Sequence, residues 1–353
     1  MNKLTAYISI LFLLAIGSCI DPIPFSAQNT SRVVIFGSIT QEDRIHTVNI
    51  ARSNRFGGFP LPLKGATVRV VGSDGSEGLY EEGEEGEYLL YPNRFRVLIG
   101  QEYHIEVELP NGQAYRSEPE RVPVPRSLDD VYFQATFREE VSNANVILES
   151  AKIEIYVNTP TKTNGQQTYL RWDVEEDWDF TDFVCGGLDR SATCYFDAFT
   201  RTVRMPLFHS EDESQERIDG FKVFERSPFP TIEFNFRHYF SVRQYSISER
   251  AYRFWEQVNL VSNPQGTIFD VLPAAVEGNI YNVETEDEIV LGYFEASASS
   301  IGRTFTQPDL LEPIFIELEC NPFLPFNVDN FQICCFCTSI PGATLERPEW
   351  WGE

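Results

Sequence analysis

The sequence predicts a mainly β protein: an N-terminal immunoglobulin-like or prealbumin-like β-sandwich, followed by a larger β-rich domain with one prominent helix. Phe and Tyr, which suit half-buried pleated surfaces, number 28 and 15 among 353 residues, while Met occurs twice. Short runs of alternating apolar and polar residues recur along the chain and are separated by turn residues. The 21 Pro and 22 Gly residues follow no repeat, which is typical of turns between short strands.

The β-sandwich is predicted over residues 32–120. The turn Pro110-Asn111-Gly112 predicts a hairpin with its second strand at 113–116. Six or seven strands within about ninety residues, with no helical pattern between them, are typical of such a fold. A domain of this kind usually serves as a spacer or a binding platform. Its predicted strands lie at residues 33–36, 46–50, 67–71, 88–91 and 103–109.

The second domain is predicted at residues 126–353, after a linker that Pro119, Pro123 and Pro125 stiffen. Its alternating runs at 152–157 and 231–237 predict long antiparallel strands with one face on a core. One helix is predicted from Ser246, which has capping-box spacing to Glu249. Its apolar stripe is interpreted as core packing and comprises Ala251, Phe254, Trp255, Val258 and Val261.

Cys19 follows a basic and apolar start that is typical of an export signal. The apolar run from Leu4 to Ile16 is shorter than the roughly 20 residues of a membrane-spanning helix. Ile16-Gly17-Ser18-Cys19 resembles the bacterial lipobox, in which the cysteine is lipidated and then becomes the first mature residue. We therefore expect a signal peptide at 1–18, acyl chains on Cys19 and a tether at 19–31. Ordinary secretion is the alternative.

The formal net charge is −25, from 28 basic and 53 acidic residues. Nucleic acid is excluded as a partner, because phosphate binding depends on clustered Lys and Arg. An acidic surface also repels anionic lipid, so acyl chains and not a basic patch are expected to hold the protein at the membrane.

The cysteines other than Cys19 predict disulfides. An even number in an exported chain favours disulfides over zinc, since no second C-x-x-C pair or spaced histidines complete a metal motif. Cys185 and Cys194 flank the turn Gly186-Gly187, so a local bridge between them is the simplest pairing. The other four would then hold the C-terminal tail. The six candidates are Cys185, Cys194, Cys320, Cys334, Cys335 and Cys337.

No catalytic, cofactor or metal residue is predicted. The four histidines form no His-Glu-x-x-His pair, and the chain contains no Gly-x-Ser-x-Gly elbow, Walker loop or dinucleotide fingerprint. His46 and His104 are interpreted as ordinary strand histidines. Two acidic stretches, 173–179 beside Trp172 and Trp178 and 209–213, are interpreted as solvated loops. Calcium binding and a glycosidase acid pair beside a sugar-stacking ring are the alternatives.

Several segments together carry a family resemblance. They are residues 19–23, 34–39, 246–255, 266–270, 278–280 and 290–297, and the tail 334–338 with Arg347, Pro348 and Trp350. These segments resemble a family of Bacteroidota lipoproteins that is grouped as a domain of unknown function and often encoded beside TonB-dependent outer-membrane receptors. The resemblance covers nearly the whole mature chain, and it carries no catalytic residues.

The resemblance implies a lipid-anchored, non-enzymatic accessory or substrate-binding protein. Its expected location is the outer membrane, on the cell-surface or the periplasmic leaflet, and its expected partner is a TonB-dependent receptor. The cargo stays open among sugar, peptide, metal chelate and protein. Two rival interpretations are a hydrolase of glycans or peptides, with the carboxylates of 173–179 in its site, and a surface adhesin.

Overall fold

The computed structural model describes residues 31–54, 59–141, 147–161, 167–182, 191–199, 205–210, 216–229, 232–262, 276–307, 310–311 and 335–352. Cys19 with the predicted signal peptide, nearly all of the tether, and Cys185, Cys320 and Cys334 lie outside these residues.

Strands dominate the described residues, as the sequence predicts. The first ten are β1 (Val33–Ile39), β2 (His46–Arg52), β3 (Leu61–Pro62), β4 (Thr67–Gly72), β5 (Glu77–Leu79), β6 (Glu81–Glu82), β7 (Glu87–Leu90), β8 (Glu102–Glu108), β9 (Ala114–Ser117) and β10 (Glu120–Arg121). The predicted hairpin is present: β8 and β9 pair antiparallel with Glu108 opposite Ala114.

The remaining strands and the helix follow in chain order. They are β11 (Asp130–Val141), β12 (Ile147–Pro160), β13 (Tyr169–Thr181), β14 (Thr193–Phe199), β15 (Leu207–His209), β16 (Arg217–Phe229), β17 (His238–Ser246), α1 (Glu249–Ser262), β18 (Ile280–Asn282), β19 (Phe294–Ala296) and β20 (Ala298–Thr306). No helix in the described part of the chain combines the length and apolarity needed to cross a membrane.

Two six-stranded sheets form the first unit. One has the order β19-β1-β2-β7-β6, with β3 beside β2, and the other has the order β18-β9-β8-β4-β5, with β10 beside β8. Inward side chains of both sheets, such as Ile35, Tyr88 and Ile105, make one apolar core. The predicted boundary at residue 120 therefore leaves out β18 and β19, which return from far along the chain. Each has three residues, too few for alternation to reveal it.

Glycine allows the returning segment to lie directly on β1. The backbone N–H of Ile35 donates to the carbonyl of Leu291 at 2.8 Å, and that of Gly37 donates to Tyr293 at 3.0 Å. Gly292 has φ +104°, and a Cβ there would lie 1.9 Å from the carbonyl oxygen of Ile35. A Cβ on Gly278 would lie 1.5 Å from the carbonyl oxygen of Gly292. Both positions therefore require glycine.

The second unit contains two further sheets. The three-stranded sheet has the order β11-β12-β16, and the five-stranded sheet has the order β14-β13-β17-β20 with β15 beside β13. A second apolar core includes Ile155 from the first of these and Trp172 and Val242 from the second. The Trp172 indole N–H donates to Gln244 Oε1 at 3.0 Å, which satisfies a polar group inside this core.

Helix α1 begins two residues later than the predicted cap implies. Ser248, not Ser246, is the N-cap, since its Oγ accepts the backbone N–H of Ala251 at 3.0 Å. Ser246 ends β17, and its Oγ accepts the N–H of Arg126 at 3.1 Å. The strand continues to Ser246 because pairing with β13 and β20 extends that far. Ala251 and Phe254 are buried as predicted, whereas Val261 is 38% exposed.

The disulfide at Cys194 differs from the expected local bridge. Cys194 is bonded to Cys337, 143 residues away, with a Cα–Cα distance of 5.8 Å. The tail lies against β14 here, since Tyr195 and Thr344 exchange backbone hydrogen bonds at 2.8 and 3.0 Å. Cys194 is therefore bonded to the cysteine that the docked tail brings close in space, and not to Cys185, its neighbour in sequence. Cys335 is disulfide-bonded as well.

Candidate functional site

The acidic stretch 173–179 is the middle of strand β13, so its interpretation as a solvated loop is wrong. The strand pairs with β14 on one side and with β17 on the other. Burial alternates along it: Trp172, Val174 and Trp178 face inward, and the acids between them are partly exposed. Glu176 is a charged residue at an inward position, so the sequence of β13 does not show a simple alternation of apolar and polar residues.

Glu176 is held inside the second unit by two basic side chains. It is 3% exposed, and its Oε2 lies 2.8 Å from His238 Nε2 and accepts Arg226 Nη1 at 2.5 Å. His238 is fully buried and stacks on Phe234 with ring centroids 4.2 Å apart. These contacts satisfy a buried carboxylate, so we assign Glu176 a structural role.

The other carboxylates of β13 contribute to what we call the outer face. This is the surface of the five-stranded sheet that points away from the second core. Cross-strand neighbours share a face, and Asp177 lies opposite Asp197 on β14 and Tyr239 on β17. Tyr239 in turn lies opposite Phe305, and Ser241 lies opposite Arg303. The outer face comprises Glu175, Asp177, Tyr195, Asp197, Tyr239, Ser241, Arg303 and Phe305.

The C-terminal tail adds two indole rings to the outer face. The Trp351 ring lies 4.6 Å from Tyr239 and 5.1 Å from Tyr195, measured between centroids. Trp350 lies under the Arg303 guanidinium, 4.3 Å from its Cζ atom. Trp350 and Trp351 of the tail thus form a packed aromatic layer beside carboxylates. Tyr239 and Trp351 are 0% and 6% exposed, so their rings pack within the layer. The partly exposed rings of Tyr195, Phe305 and Trp350 can stack a planar or sugar ring while the carboxylates accept its hydroxyl hydrogen bonds.

Asp177 is the acid on the outer face whose protonation is most changed by its surroundings. The pKa of Asp177 is raised to about 6, mainly because the carboxyl is partly buried. The neighbouring charges of Glu175 and Asp197 also raise this pKa, while Arg303 lowers it. A carboxyl with this pKa exchanges a proton near neutral pH and can either donate or accept a hydrogen bond. A perturbed acid beside aromatic rings is a feature of binding and catalytic sites.

The four histidines are dispersed. His46 and His104 lie in β2 and β8, as predicted, and burial lowers the pKa of His46 to about 4. His209, in the second predicted acidic stretch, stacks on Tyr169 with centroids 6.3 Å apart; residues 211–213 of that stretch lie outside the described residues. Within the described ranges, no three His, Cys, Asp or Glu side chains are placed to hold a metal ion.

A buried ion pair joins the two units. Arg171 on β13 and Glu295 on β19 are 5% and 2% exposed. The Arg171 guanidinium donates from Nε at 3.0 Å and from Nη2 at 2.9 Å to the Glu295 carboxylate, and from Nη1 to Asp173 at 2.9 Å. Burial alone would lower the pKa of Arg171, but these carboxylates raise it well above its ordinary value.

Aromatic side chains complete this buried junction, which comprises Arg171, Asp173, Tyr245, Trp255 and Glu295. The Arg171 Cζ atom lies 3.8 Å from the centroid of the Tyr245 ring. The Trp255 indole N–H on α1 donates to Glu295 Oε2 at 2.7 Å. Sequence reasoning missed the junction. The available signal was a charged residue, Arg171, flanked by apolar residues at the start of a strand-like run.

Comparison with known families assigns the chain. Residues 20–303 match the model of a family described as a domain of unknown function, DUF4249. The chain belongs to this family. The matched region of this DUF4249 member includes both units and the returning strands β18 and β19, together with both partners of the buried junction. Among curated proteins, none matches the chain.

Proposed function

We propose that this DUF4249 member is a non-enzymatic, lipid-anchored accessory or substrate-binding protein of the outer membrane that works with a TonB-dependent transporter. The observation that carries the proposal is the lipobox-like Ile16-Gly17-Ser18-Cys19. Its acylated cysteine would hold the protein at the membrane through a tether of 12 residues before Ser31. Resemblance to Bacteroidota lipoproteins encoded beside such transporters supports the choice of partner.

The architecture supports a binding role. The chain builds the first unit, continues into the second and returns to the first through β18 and β19, so both units are parts of one platform. An acyl tether keeps this platform and a membrane transporter at high effective concentration, so weak contacts are sufficient for joint action. The outer face offers a ligand its carboxylates and the partly exposed rings of Tyr195, Phe305 and Trp350.

The internal position of Glu176 removes it from any acid pair on the outer face. A glycosidase of the usual kind needs two carboxyl groups flanking one bond of the substrate. Glu176 is on the opposite side of β13 from Asp177, where it forms an ion pair with Arg226 and contacts His238. A hydrolase would therefore have to use carboxylates of the outer face, such as Glu175 and Asp177, and not Glu176.

The test is purification from native membranes in mild detergent, with mass spectrometry of the N-terminus and of co-purifying proteins. We expect an acylated Cys19 as the first residue and a TonB-dependent receptor at comparable abundance. A Cys19→Ser chain should be released from the membrane fraction and should recover much less receptor. An unmodified N-terminus, or recovery of the wild-type chain without any receptor, would contradict the proposal.

A further inference from the structure

Residues 59–62 form a continuous exposed apolar run in the first unit. Phe59 and Leu61 are 91% and 57% exposed, and Pro60 and Pro62 are exposed as well. Single exposed apolar side chains are common on protein surfaces, but four in succession are not expected without a function. We call residues 59–62 the apolar run.

The apolar run is held in place by strand pairing. Its second half is β3, in which Leu61 lies opposite Arg52 and Pro62 lies opposite Ala51 on β2. Immediately after the run, the Leu63 N–H donates to the carbonyl of Ile50 at 2.9 Å. Pro60 and Pro62 have no N–H to offer on the free side of β3, so an added strand from a partner would pair poorly there. The chemistry of the run suits burial in an apolar medium better than strand addition.

The end of the tether lies beside the apolar run. The Ser31 hydroxyl donates to the carbonyl of Ser53 at 2.8 Å, and the Arg32 N–H donates to the Ser53 hydroxyl at 2.8 Å. Ser53 directly follows Arg52, the cross-strand neighbour of Leu61. Cys19 precedes Ser31 by 12 residues, which span at most about 40 Å when extended. Acyl chains on Cys19 would therefore keep this edge of the sandwich within about 40 Å of the membrane.

Charge near the apolar run is nearly balanced. Residues 44–73 contain five basic side chains and no acidic one in a chain with net charge −25. Those five are Arg44, Arg52, Arg55, Lys64 and Arg69. Acidic side chains lie close by, however: Glu82 of β6 accepts the Gly65 N–H with its Oε1 at 3.1 Å, and Arg69 pairs with Glu106. Attraction to anionic headgroups is therefore largely offset, and burial of apolar surface is the force that remains.

We propose that the apolar run inserts into the lipid interface beside the acyl anchor, so that the protein contacts the membrane at two points. This inference rests on the proposed lipid anchor, because Cys19 acylation places the tether end at the membrane. Phe and Leu side chains with prolines between them form a rigid apolar tip, and neighbouring Lys and Arg side chains can extend toward the headgroups. The second contact fixes which edge of the sandwich faces the bilayer.

The test uses the full mature chain with Cys19→Ser, so that no acyl chain contributes. Partition is measured by flotation with an excess of phosphatidylethanolamine–phosphatidylglycerol vesicles. We expect Phe59→Ser with Leu61→Ser to lower the partition coefficient by about tenfold or more, because two side chains lose their apolar transfer energy. Raising the salt concentration should change it little. The matched control is Leu345→Ser, since Leu345 is 62% exposed and lies in the C-terminal tail.

Three results would overturn the inference. One is equal partition of the parent and the double variant, and another is an equal loss in the Leu345→Ser control. The third is unchanged vesicle binding together with loss of receptor in the detergent purification, which would make the apolar run a protein-docking surface. Thermal unfolding of each variant checks that the fold is intact. Vesicle binding without receptor recovery would contradict only the accessory role, so the two proposals can fail separately.

Discussion

At the residue scale, Asp177 on the outer face lies in an environment that disfavours its ionised form. Asp177 is partly buried, faces Asp197 across the β13–β14 pair and has Glu175 two residues before it. A folded pKa of about 6 lies above the value of about 4 for an unfolded chain. The folded state therefore binds the proton more tightly. The resulting stability is full below pH 4 and is lost as the pH rises through 6.

Replacing Asp177 with Asn should stabilise the folded protein at neutral and alkaline pH. At pH 8 the gain in unfolding free energy is expected to be about 1–2 kcal/mol, since solvent screens part of the effect at this partly exposed group. The gain should vanish near pH 3, where the Asp177 carboxyl is largely protonated in the folded and the unfolded state. Denaturant unfolding at the two pH values measures it. Asp197→Asn is the comparison and should give a smaller gain at pH 8, because burial is the main cause of the shift. A gain that is equal at both pH values would refute the assigned pKa.

Sequence reasoning at this scale succeeded for side chains whose environment is local. His46 and His104 lie in predicted strands, whereas Trp172 and Trp178 face inward, away from the carboxylates of the outer face. It failed for Glu176 and Arg171, whose partners are supplied by distant strands. His238, Arg226 and Glu295 lie 62, 50 and 124 residues away from them. No local pattern announces which charged residue of a strand will find such a partner.

At the element scale, the glycines of the returning segment set the approach of β19 to β1. Gly292 combines a positive φ with a backbone contact that no side chain could occupy, whereas Gly342, with φ +85°, has no atom within 4 Å of an added Cβ. These two positions share the conformational requirement and differ in the contact. Substitutions at the two positions therefore separate the free-energy cost of the backbone conformation from the cost of the steric contact.

Gly292→Ala should destabilise the protein far more than Gly342→Ala. The tail substitution should cost about 1–2 kcal/mol, because only backbone conformation opposes it. The substitution in the returning segment must also displace β1 from Leu291, and a cost of more than about 4 kcal/mol, or failure to fold, is expected. Thermal unfolding, or soluble yield where the variant does not fold, measures the difference. Similar costs at the two positions would mean that the close approach is absent.

Elements whose signals lie within their own sequence were predictable, whereas elements that depend on distant partners were not. The alternating run 152–157 and the β8–β9 hairpin were predictable because their signals are contained in the element. The alternating run 231–237 is wrong as a strand, since Ile232–Asn235 form a 3-10 helix and β17 begins at His238. The N-cap of α1 was placed two residues early because Ser246 and Ser248 both precede an acceptable helix. Only pairing of Ser246 with Ala298 on β20 and Leu170 on β13 decides between them. The three-residue strands β18 and β19 exist because the sandwich supplies their partners.

At the scale of the whole molecule, the buried junction makes the two units depend on each other. Arg171 belongs to the second unit and Glu295 to a strand of the first, and both are buried. A further contact at this boundary is the pair of hydrogen bonds between the Gln41 side chain and the Ser299 backbone, at 2.7 and 2.9 Å. We therefore expect the units to unfold together, as one platform and not as two independent domains.

Substitutions at the junction test this coupling. Arg171→Met and Glu295→Met should each cost about 3–5 kcal/mol, because each leaves a buried charge without its partner. The double variant should cost clearly less than the sum, since the remaining uncompensated group is mainly the Trp255 indole N–H. Arg217→Met is the control. Its pairs with Asp129 and Asp219 are exposed, so a loss below about 1 kcal/mol is expected.

Denaturant unfolding followed by tryptophan fluorescence, which reports mainly on the second unit, and by far-ultraviolet circular dichroism, which reports on both, should give coincident transitions in the wild type. Additive losses, or two separate transitions in the wild-type protein, would show that the junction does not couple the units.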